Sequence, residues 1–294
     1  MTQNNEQEMP GRVVVGVDSS ENSMRAARWA AREAQSRRVP LTIVHALHLL
    51  TGAALTLEPP EFAEHARDEG RKLLLLVADN VRAEFPELEV DIELSDLSAA
   101  HTLSALSLES ALVVTGTRGH GGFAGMLLGS VSGKLAAHAH SPLVVVRDGQ
   151  PADVLNEVVL GIDADQPDAA IRYAFAAAQR YGGVLHAVRT WLPDAASLYA
   201  MEPSLVGYAQ TRAEECRAVE HLLAPLRPSF PDVKVEISAV RGNPVPVLIE
   251  AARGTRLLVV GAHRHRSPLA VGAGYTVDGL LAHSPTPVAV VPIH

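Results

Sequence analysis

RVVVGVDSS at residues 12–20 returns as EVVLGIDAD at residues 157–165, and this repetition decides the fold. At the other end of each copy, AHAHSPLVVV at residues 137–146 returns as LAHSPTPVAVV at residues 281–291. Self-similarity at both ends of a long segment is typical of a chain that carries one folding unit twice. The length of 294 residues agrees, since a typical domain has roughly 150 residues. We therefore predict two tandem domains.

The two copies stay in almost constant alignment between these ends. Asp18 matches Asp163, 145 residues later, and LTIVHAL at residues 41–47 matches LHAVRTW at residues 185–191 with a separation of 144. The second copy thus loses one residue before this segment and regains it later, as expected of small insertions and deletions in loops and at helix ends. We predict a polar tail, a first domain, a linker rich in glycine, proline and charge, and a second domain. Their bounds are 1–11, 12–147, 148–156 and 157–294.

Within the first copy, short runs of β-branched residues alternate with longer helical patterns. Nearly continuous apolar runs indicate strands that are buried on both faces, whereas LEVDIEL at residues 88–94 alternates and indicates a half-exposed edge strand. The predicted strands cover residues 13–17, 41–47, 88–94, 112–115 and 143–146. The first predicted helix begins after Ser20, and the other three cover residues 61–82, 101–108 and 131–139. This alternation predicts an α/β protein of two tandem, open-twisted five-stranded parallel sheets, with strand order 3-2-1-4-5 and helices on both faces.

Charge and composition argue against several classes of function. Thirty-three acidic against 25 basic side chains leave a formal charge of −8, so we expect neither a nucleic acid nor an anionic membrane as partner. The longest aliphatic run, Leu73 to Ala78, has six residues, whereas a membrane-spanning helix needs about 20. The polar first ten residues lack the pattern of a signal peptide, and the single Cys216 cannot form an internal disulfide bond. We therefore expect a soluble, cytoplasmic protein.

The segment TGTRGHGGFAGMLLGSVSGK at residues 115–134 follows the fourth predicted strand and is rich in glycine. Glycine lets main-chain N–H groups approach a ligand that a Cβ would hold away. The loop ends at Gly129 and Ser130, where a helix is predicted to begin, so amides and the positive end of a helix dipole converge there. Open parallel sheets bind ligands where the winding reverses, here between strands one and four, and Asp18 follows strand one. The pattern favours a phosphate site, although such glycines also form turns that bind nothing.

The spacing of these glycines resembles that of a known family. Gly116-x2-Gly119-x9-Gly129-Ser130 satisfies at every position the G-x2-G-x9-G-[S/T] pattern of the nucleotide-binding universal stress proteins. The early GVDSS, the LLGSVS segment and the terminal HSPLVVV are similar to that family in the same order. The chain thus resembles the tandem two-domain universal stress proteins over almost its whole length. The resemblance implies a fold like that of the adenine-nucleotide alpha hydrolases, with ATP as the ligand.

The resemblance also implies how the first copy would hold the phosphates. Main-chain amides around Gly119, Gly129 and Ser130 would donate to the phosphate oxygens. The Ser130 hydroxyl would be a further donor, and Val131 would continue the turn. Three contacts of this kind, each worth roughly 1.5–3 kcal/mol to a charged partner, are compatible with binding on the order of micromolar after the cost of association.

The remaining site residues are implied for the nucleoside. Gly116 would let the ribose and the phosphates approach the end of the fourth strand. Asp18 would accept hydrogen bonds from the ribose hydroxyls or would orient water on a metal ion, with Mg²⁺ as the candidate. The main chain of Val44, on the second predicted strand, would contact the edge of the adenine.

The second copy departs from this pattern at the phosphate positions. The second motif glycine is replaced by Arg264, and the hydroxyl residue after the last one is replaced by Tyr275. An arginine in place of a left-handed glycine costs about 1–2 kcal/mol, and its side chain would fill the ligand's space. The copy retains Gly261, Gly274, Asp163 and Val188. We expect a structural and dimerising role for this half, while Arg264 as a cation for phosphate, or an altered ligand, remains open.

Other patterns in the chain are weaker. GSVSGK at residues 129–134 is not a Walker loop, because Leu128 and Leu135 stand where glycine and a hydroxyl residue are needed. The alternate histidines of the pairs His138 with His140 and His263 with His265 do not share a helix face, so neither pair indicates a metal site. No activating pattern accompanies Cys216.

Three functions therefore remain in view. The leading hypothesis is an ATP-binding regulator of a stress response, which requires no catalysis. The first alternative is an enzyme that slowly hydrolyses ATP or transfers a phosphoryl or adenylyl group, although the sequence lacks the usual loop lysine with two metal-holding acids. The second alternative is an assembly module that binds no nucleotide. The apolar last strands of the two copies are edges that need cover. By resemblance we expect an intrachain pseudo-dimer of the two domains and a homodimer of whole chains.

Overall fold

The N-terminal half folds around strands whose valine-rich sequences are buried on both faces. The computed structural model describes residues 11–47, 49, 60–117, 128–147, 154–163, 168–192, 205–263 and 273–293. The chain forms two compact units. The strands of the first are β1 (Arg12–Gly16), β2 (Leu41–Ala46), β3 (Val90–Ser95), β4 (Ser110–Gly116) and β5 (Leu143–Val146).

These five strands are parallel and follow the order β3-β2-β1-β4-β5. Val13 of the central β1 pairs with Leu41 on one side and with Leu112 on the other. The predicted strand order 3-2-1-4-5 is thereby confirmed. The expected edge strand is β3, which is half-exposed, whereas every residue of β5 is buried.

Within the described residues, four helices connect these strands, and the sequence explains where the first of them begins and ends. They are α1 (Glu21–Arg37), α2 (Pro60–Glu84), α3 (Ala99–Leu106) and α4 (Ser130–His138). The Ser20 hydroxyl caps α1 by accepting from the N–H of Ser23, which satisfies a donor that lacks a helical partner. At the other end Arg38 adopts a left-handed conformation, with φ of 56°. That conformation turns the chain out of the helix.

Met24, Ala27, Ala31 and Ala34 recur at spacings of three and four residues, which predicts one apolar stripe along α1. In the structure this stripe lies against the sheet. Ala27, Ala31 and Ala34 have 0–1% of their surface exposed. Small side chains let the helix approach the valines of β1 closely. The N-terminal half therefore has its core between α1 and the sheet, as the spacing of three and four residues predicts.

The C-terminal half repeats this plan. Its elements are β6 (Leu155–Ile162), α5 (Asp168–Tyr181), β7 (Val184–Trp191), α6 (Leu205–Leu223), a 3-10 turn (Arg227–Ser229), β8 (Lys234–Arg241), α7 (Pro244–Ala251), β9 (Thr255–His263), α8 (Tyr275–His283) and β10 (Val288–Ile293). Its parallel strands follow the order β8-β7-β6-β9-β10, which is the order of the first half. Val158 of β6 pairs with Leu185 and Leu257, the counterparts of the partners of Val13.

One boundary differs from the sequence interpretation. Leu155 and Asn156, assigned to the linker, are the first two residues of β6. Leu155 donates its N–H to the carbonyl of Gly254, so main-chain pairing begins before the apolar run. No helix in the described ranges combines the length and the apolar character that crossing a bilayer requires.

Candidate functional site

The carboxyl ends of β1 and β4 lie side by side in the N-terminal half. The chain leaves β1 for β2 on one side, whereas β4 is followed by β5 on the other side. This is the point where the winding of an open parallel sheet reverses, and such points form the ligand crevice in this class of fold. The residues predicted for the site therefore belong to the loops that follow these two strands.

Asp18 follows β1 and is held by the start of α1. Its Oδ1 accepts from the N–H of Ser20 at 2.9 Å and from the Ser20 hydroxyl at 2.5 Å. The Ser23 hydroxyl donates to the main-chain carbonyl of Asp18 at 2.5 Å. Because α1 begins here, the carboxylate stands at the positive end of a helix dipole. The side chain is half-buried and its orientation is fixed by these contacts.

The main chain between β1 and β2 is fixed in the same region. Val17 donates its N–H to the carbonyl of Val44 at 2.8 Å. The Nδ1 atom of His45 lies 2.8 Å from the carbonyl oxygen of Val17. The side chain of Val44 is only 2% exposed. Any ligand contact at Val44 would therefore have to involve its main chain, which is the part that the resemblance implies.

The start of α4 presents main-chain donors without a side-chain cap. Gly129 is the N-cap residue, with φ of −73° and ψ of 151°, and no side chain hydrogen-bonds to the helix end. Gly129 donates its own N–H to the carbonyl of Thr117, and the first helical bond runs from Gly133 to Gly129. The N–H groups of the three residues between them precede that bond, as at every helix start. Ser130 is exposed and Val131 is half-buried.

Ser132 connects this helix end to β4, and sequence reasoning missed it. Its hydroxyl is buried, donates to the carbonyl of Gly116 at 2.9 Å and lies 3.2 Å from the Thr115 hydroxyl. The contact positions the first turn of α4 at the end of β4. The available signal was a second hydroxyl residue two positions after Ser130, although its direction could not be derived from spacing.

Gly116 has a packing role that needs no ligand. A Cβ at Gly116 would lie 3.2 Å from the carbonyl carbon, the oxygen and the Cβ of Asn22, in the first turn of α1. The glycine thus allows α1 to approach β4. Together with the Ser132 contact, it brings the Asp18 loop, the end of β4 and the start of α4 into one cluster. Gly119 lies outside the described residues, so its predicted role is untested.

The corresponding aspartate of the C-terminal half has a different partner. Asp163 follows β6 and its Oδ1 accepts from Nη1 of Arg189, on β7, at 2.5 Å. The Nε of the same guanidinium donates to Glu215, on α6, at 2.9 Å. Burial lowers the pKa of Arg189, but hydrogen bonds and charge from Glu215 and Asp163 outweigh it and leave the pKa above its usual value. The arginine stays charged and both carboxylates bind it.

The start of α8 also differs from the start of α4. Gly274 is its N-cap with φ of 104°, a conformation that favours glycine, and the next residue, Tyr275, is 77% exposed. The aromatic side chain replaces the hydroxyl of Ser130. Arg264 lies outside the described residues.

Among the described residues, the other candidate side chains do not form a reactive cluster. Cys216 is a free thiol and is half-buried. In the part of the chain that the structure describes, no three His, Cys, Asp or Glu residues are grouped so that they could hold a metal ion. His140 donates its N–H to the Ser107 hydroxyl, which joins the end of α4 to α3.

Comparison with known proteins agrees with this fold. The Universal stress protein family matches the chain twice, over residues 9–147 and 155–292. A universal stress protein of Mycolicibacterium smegmatis is 35% identical over 291 residues, which cover 95% of this chain and 96% of the relative. A universal stress protein of Mycobacterium tuberculosis is 29% identical over 286 residues, or 95% of each chain.

The crystal structure of a universal stress protein from Archaeoglobus fulgidus is similar over 97% of both chains, with a TM-score of 0.70 and 17% identity. At that identity the likeness concerns the fold. The double match, the relatives aligned over almost their whole length and the repeated strand order lead to one conclusion: the chain belongs to the universal stress protein family and carries two tandem copies of its domain.

Proposed function

We propose that this protein binds ATP in its N-terminal half and acts as a nucleotide-dependent regulator of a stress response. The observation that carries the proposal is the start of α4, where the G-x2-G-x9-G-S loop ends in a helix without a side-chain cap. A helix start of this kind attracts anions, because its free N–H groups and its dipole both favour negative charge.

The described residues fit a phosphate group. The N–H groups of Ser130 and Val131 precede the first helical bond, and the Ser130 hydroxyl is exposed. Ser132 holds this turn against the carbonyl of Gly116, so the donors are fixed before a ligand arrives. Gly119 would add main-chain donors from the loop. A preorganised site loses less conformational entropy on binding.

Asp18 fits the ribose or a magnesium ion. Ser20 orients its carboxylate at the end of β1, where it would accept from the ribose hydroxyls or from water on Mg²⁺. Mg²⁺ is commonly held by one or two carboxylates together with the phosphates of a nucleotide. The carbonyl oxygen of Val44 accepts from Val17 and has a second lone pair for a donor on the adenine edge.

The proposal includes two properties of the whole chain. We propose that the protein acts in the cytoplasm, where ATP is present. We also propose that two chains associate as a homodimer, which light scattering after size-exclusion chromatography would measure. A strict monomer would contradict this part alone.

The experiment is to denature the purified full-length protein and to identify the released nucleotide by chromatography. ATP supports a nucleotide-dependent regulator, ADP would favour slow hydrolysis, and an empty protein with no heat on ATP titration would favour assembly alone. Gly119→Glu should abolish nucleotide retention without loss of the fold, because the side chain would fill the phosphate space. The matched change Arg264→Glu, in the second copy, should have little effect. Equal loss from both changes would contradict a site in the N-terminal half.

A further inference from the structure

We infer that His45, on β2, is a positioning residue of the proposed nucleotide site, because its imidazole fixes the main chain that carries Asp18. The inference rests on the proposed function, in which Asp18 contacts the ribose or a magnesium ion. His45 lies outside the G-x2-G-x9-G-S loop. Its role follows instead from a hydrogen bond between its ring and the residue that precedes Asp18.

Val17 is bound to β2 through both of its main-chain polar groups. Its N–H donates to the carbonyl of Val44 at 2.8 Å, and its carbonyl oxygen lies 2.8 Å from Nδ1 of His45. Because a carbonyl oxygen only accepts hydrogen bonds, Nδ1 is the donor and carries the ring proton. The side chain of Val17 is 6% exposed. The imidazole therefore ties a buried residue, immediately before Asp18, to the second strand.

The ring takes the place of a main-chain donor where the pairing of the two strands ends. The described pairing of β1 with β2 extends as far as Gly16 with Val44. If this parallel ladder continued by one residue, the N–H of Ala46 would donate to the carbonyl of Val17. The side chain of His45 supplies that bond instead. The chain can thus leave the sheet at Asp18 while the carbonyl of a buried residue keeps a partner.

Helix α2 holds the ring in this orientation. A Cβ at Gly70 would lie 3.1 Å from Cδ2 of His45, 3.0 Å from a methyl group of Leu47 and 2.8 Å from a methyl group of Leu94. The helix therefore passes close over the ring and the two leucine side chains, and a larger residue at position 70 would displace them. A side chain that packing holds in this way can orient its neighbour precisely.

Two successive peptide groups at Asp18 are bound by different elements of the fold. His45 binds the carbonyl of the preceding residue, and the Ser23 hydroxyl donates to the carbonyl of Asp18 itself at 2.5 Å. Ser23 belongs to α1 and is 4% exposed. Loss of the bond from β2 should let the Asp18 carboxylate shift, and a shift on the order of 1 Å is enough to weaken a contact with a ligand.

The test compares His45→Leu with His45→Asn in the full-length protein and measures ATP affinity by titration calorimetry. Both side chains branch at Cγ, but only asparagine carries a nitrogen donor bonded to Cγ, as Nδ1 of histidine is. His45→Leu should weaken ATP binding by about tenfold, the equivalent of one hydrogen bond to a charged partner. His45→Asn should stay within about threefold of the wild type, because its amide can restore the bond to Val17.

The matched control for a loss of stability is Thr102→Val. It removes a hydroxyl that is 5% exposed and lies 2.8 Å from the hydroxyl of Ser95, a contact that joins α3 to β3 in the same half. Thermal melts should show a lower transition for this variant, while its ATP affinity stays within about threefold of the wild type. If His45→Leu does not fold, His45→Ala is compared with His45→Asn in its place.

Amide hydrogen exchange, followed by NMR in the absence of ATP, measures the position of the loop directly. The amides of Val17 and Ser20, which donate to Val44 and to the Asp18 carboxylate, should exchange faster in His45→Leu and at nearly the wild-type rate in His45→Asn.

Equal ATP affinities of the leucine and asparagine variants, or unchanged amide exchange in His45→Leu, would overturn the inference and leave the proposed function standing. A loss of affinity in Thr102→Val as large as that in His45→Leu would do the same, because stability alone would then explain the effect. If the wild-type chain binds no ATP, the proposed function fails and the inference fails with it.

Discussion

Replacing the buried Ser132 by alanine should destabilise the N-terminal half without removing an exposed group from the start of α4. The hydroxyl is 2% exposed, donates to the carbonyl of Gly116 and contacts the Thr115 hydroxyl. Its removal loses one hydrogen bond and leaves a buried acceptor without its donor, for which mutational data give a cost of about 1–3 kcal/mol. With a urea dependence of roughly 2 kcal/mol per molar, the unfolding midpoint of the N-terminal half should fall by roughly 1 M.

Tryptophan fluorescence can follow that half alone. The chain has two tryptophans, of which Trp29 lies on α1 and is 9% exposed, whereas Trp191 lies in the other half. Urea titrations in a Trp191→Phe background therefore report the N-terminal half through Trp29. Ser130→Ala is the matched control, since it removes an exposed hydroxyl from the same turn. Its free energy of unfolding should stay within about 0.5 kcal/mol of that of the background.

Measuring ATP affinity together with stability should distinguish the roles of the two serines. Ser130→Ala should weaken ATP binding by about tenfold, because it removes a donor to a charged phosphate, while leaving the unfolding midpoint in place. Ser132→Ala should lower both the midpoint and the affinity. Equal midpoints for the two variants, or an unchanged midpoint for Ser132→Ala, would refute the assignment of Ser132 as the anchor of α4.

Two further predictions concern stability. The carboxylate of Asp96 accepts two hydrogen bonds from Arg67 at 2.8 and 3.1 Å, and this bonding holds the pKa of Asp96 below its usual value. Its contribution is therefore present above the unfolded pKa of about 3.9 and is lost as the pH falls through the lower folded value. Urea midpoints of wild type and Asp96→Asn should differ at pH 7 and converge as the pH falls below the lowered pKa of Asp96, and a difference that grows on acidification would contradict this. Gly274→Ala should destabilise the C-terminal half by about 1–2 kcal/mol through backbone strain, because its φ is 104°. Gly129→Ala, at φ of −73°, lacks this strain and should destabilise its own half less. Calorimetric scans of both variants measure this contrast, and equal losses would contradict it.

The strands and their order could be predicted because burial leaves a direct trace in the sequence. Val13 to Val15 have no exposed surface, as an unbroken apolar run indicates for a central parallel strand. The alternation at residues 88–94 correctly indicates β3 as the edge. The position of Asp18 relative to the start of α4 follows from topology alone, since both come after adjacent parallel strands.

The contacts of single side chains could not be predicted in the same way. The direction of the Ser132 hydroxyl depends on how α4 is rotated against β4, which periodicity does not determine. The pairing of Arg189 with Asp163 depends on strand register, and its second partner, Glu215, comes from a helix that is distant in sequence. A comparison of motif positions therefore finds that Asp163 is retained but does not show that it is paired with Arg189.

The close approach of Asn22 to Gly116 also affects how such proteins are recognised in genome surveys. A glycine that a helix crossing requires is needed for folding, whether or not its copy of the domain binds a ligand. The presence of Gly261 at the corresponding position of the second copy is therefore not by itself evidence of nucleotide binding. Searches that score the later glycine and hydroxyl positions of the motif separately from this first glycine would better distinguish copies that bind nucleotide from copies that do not.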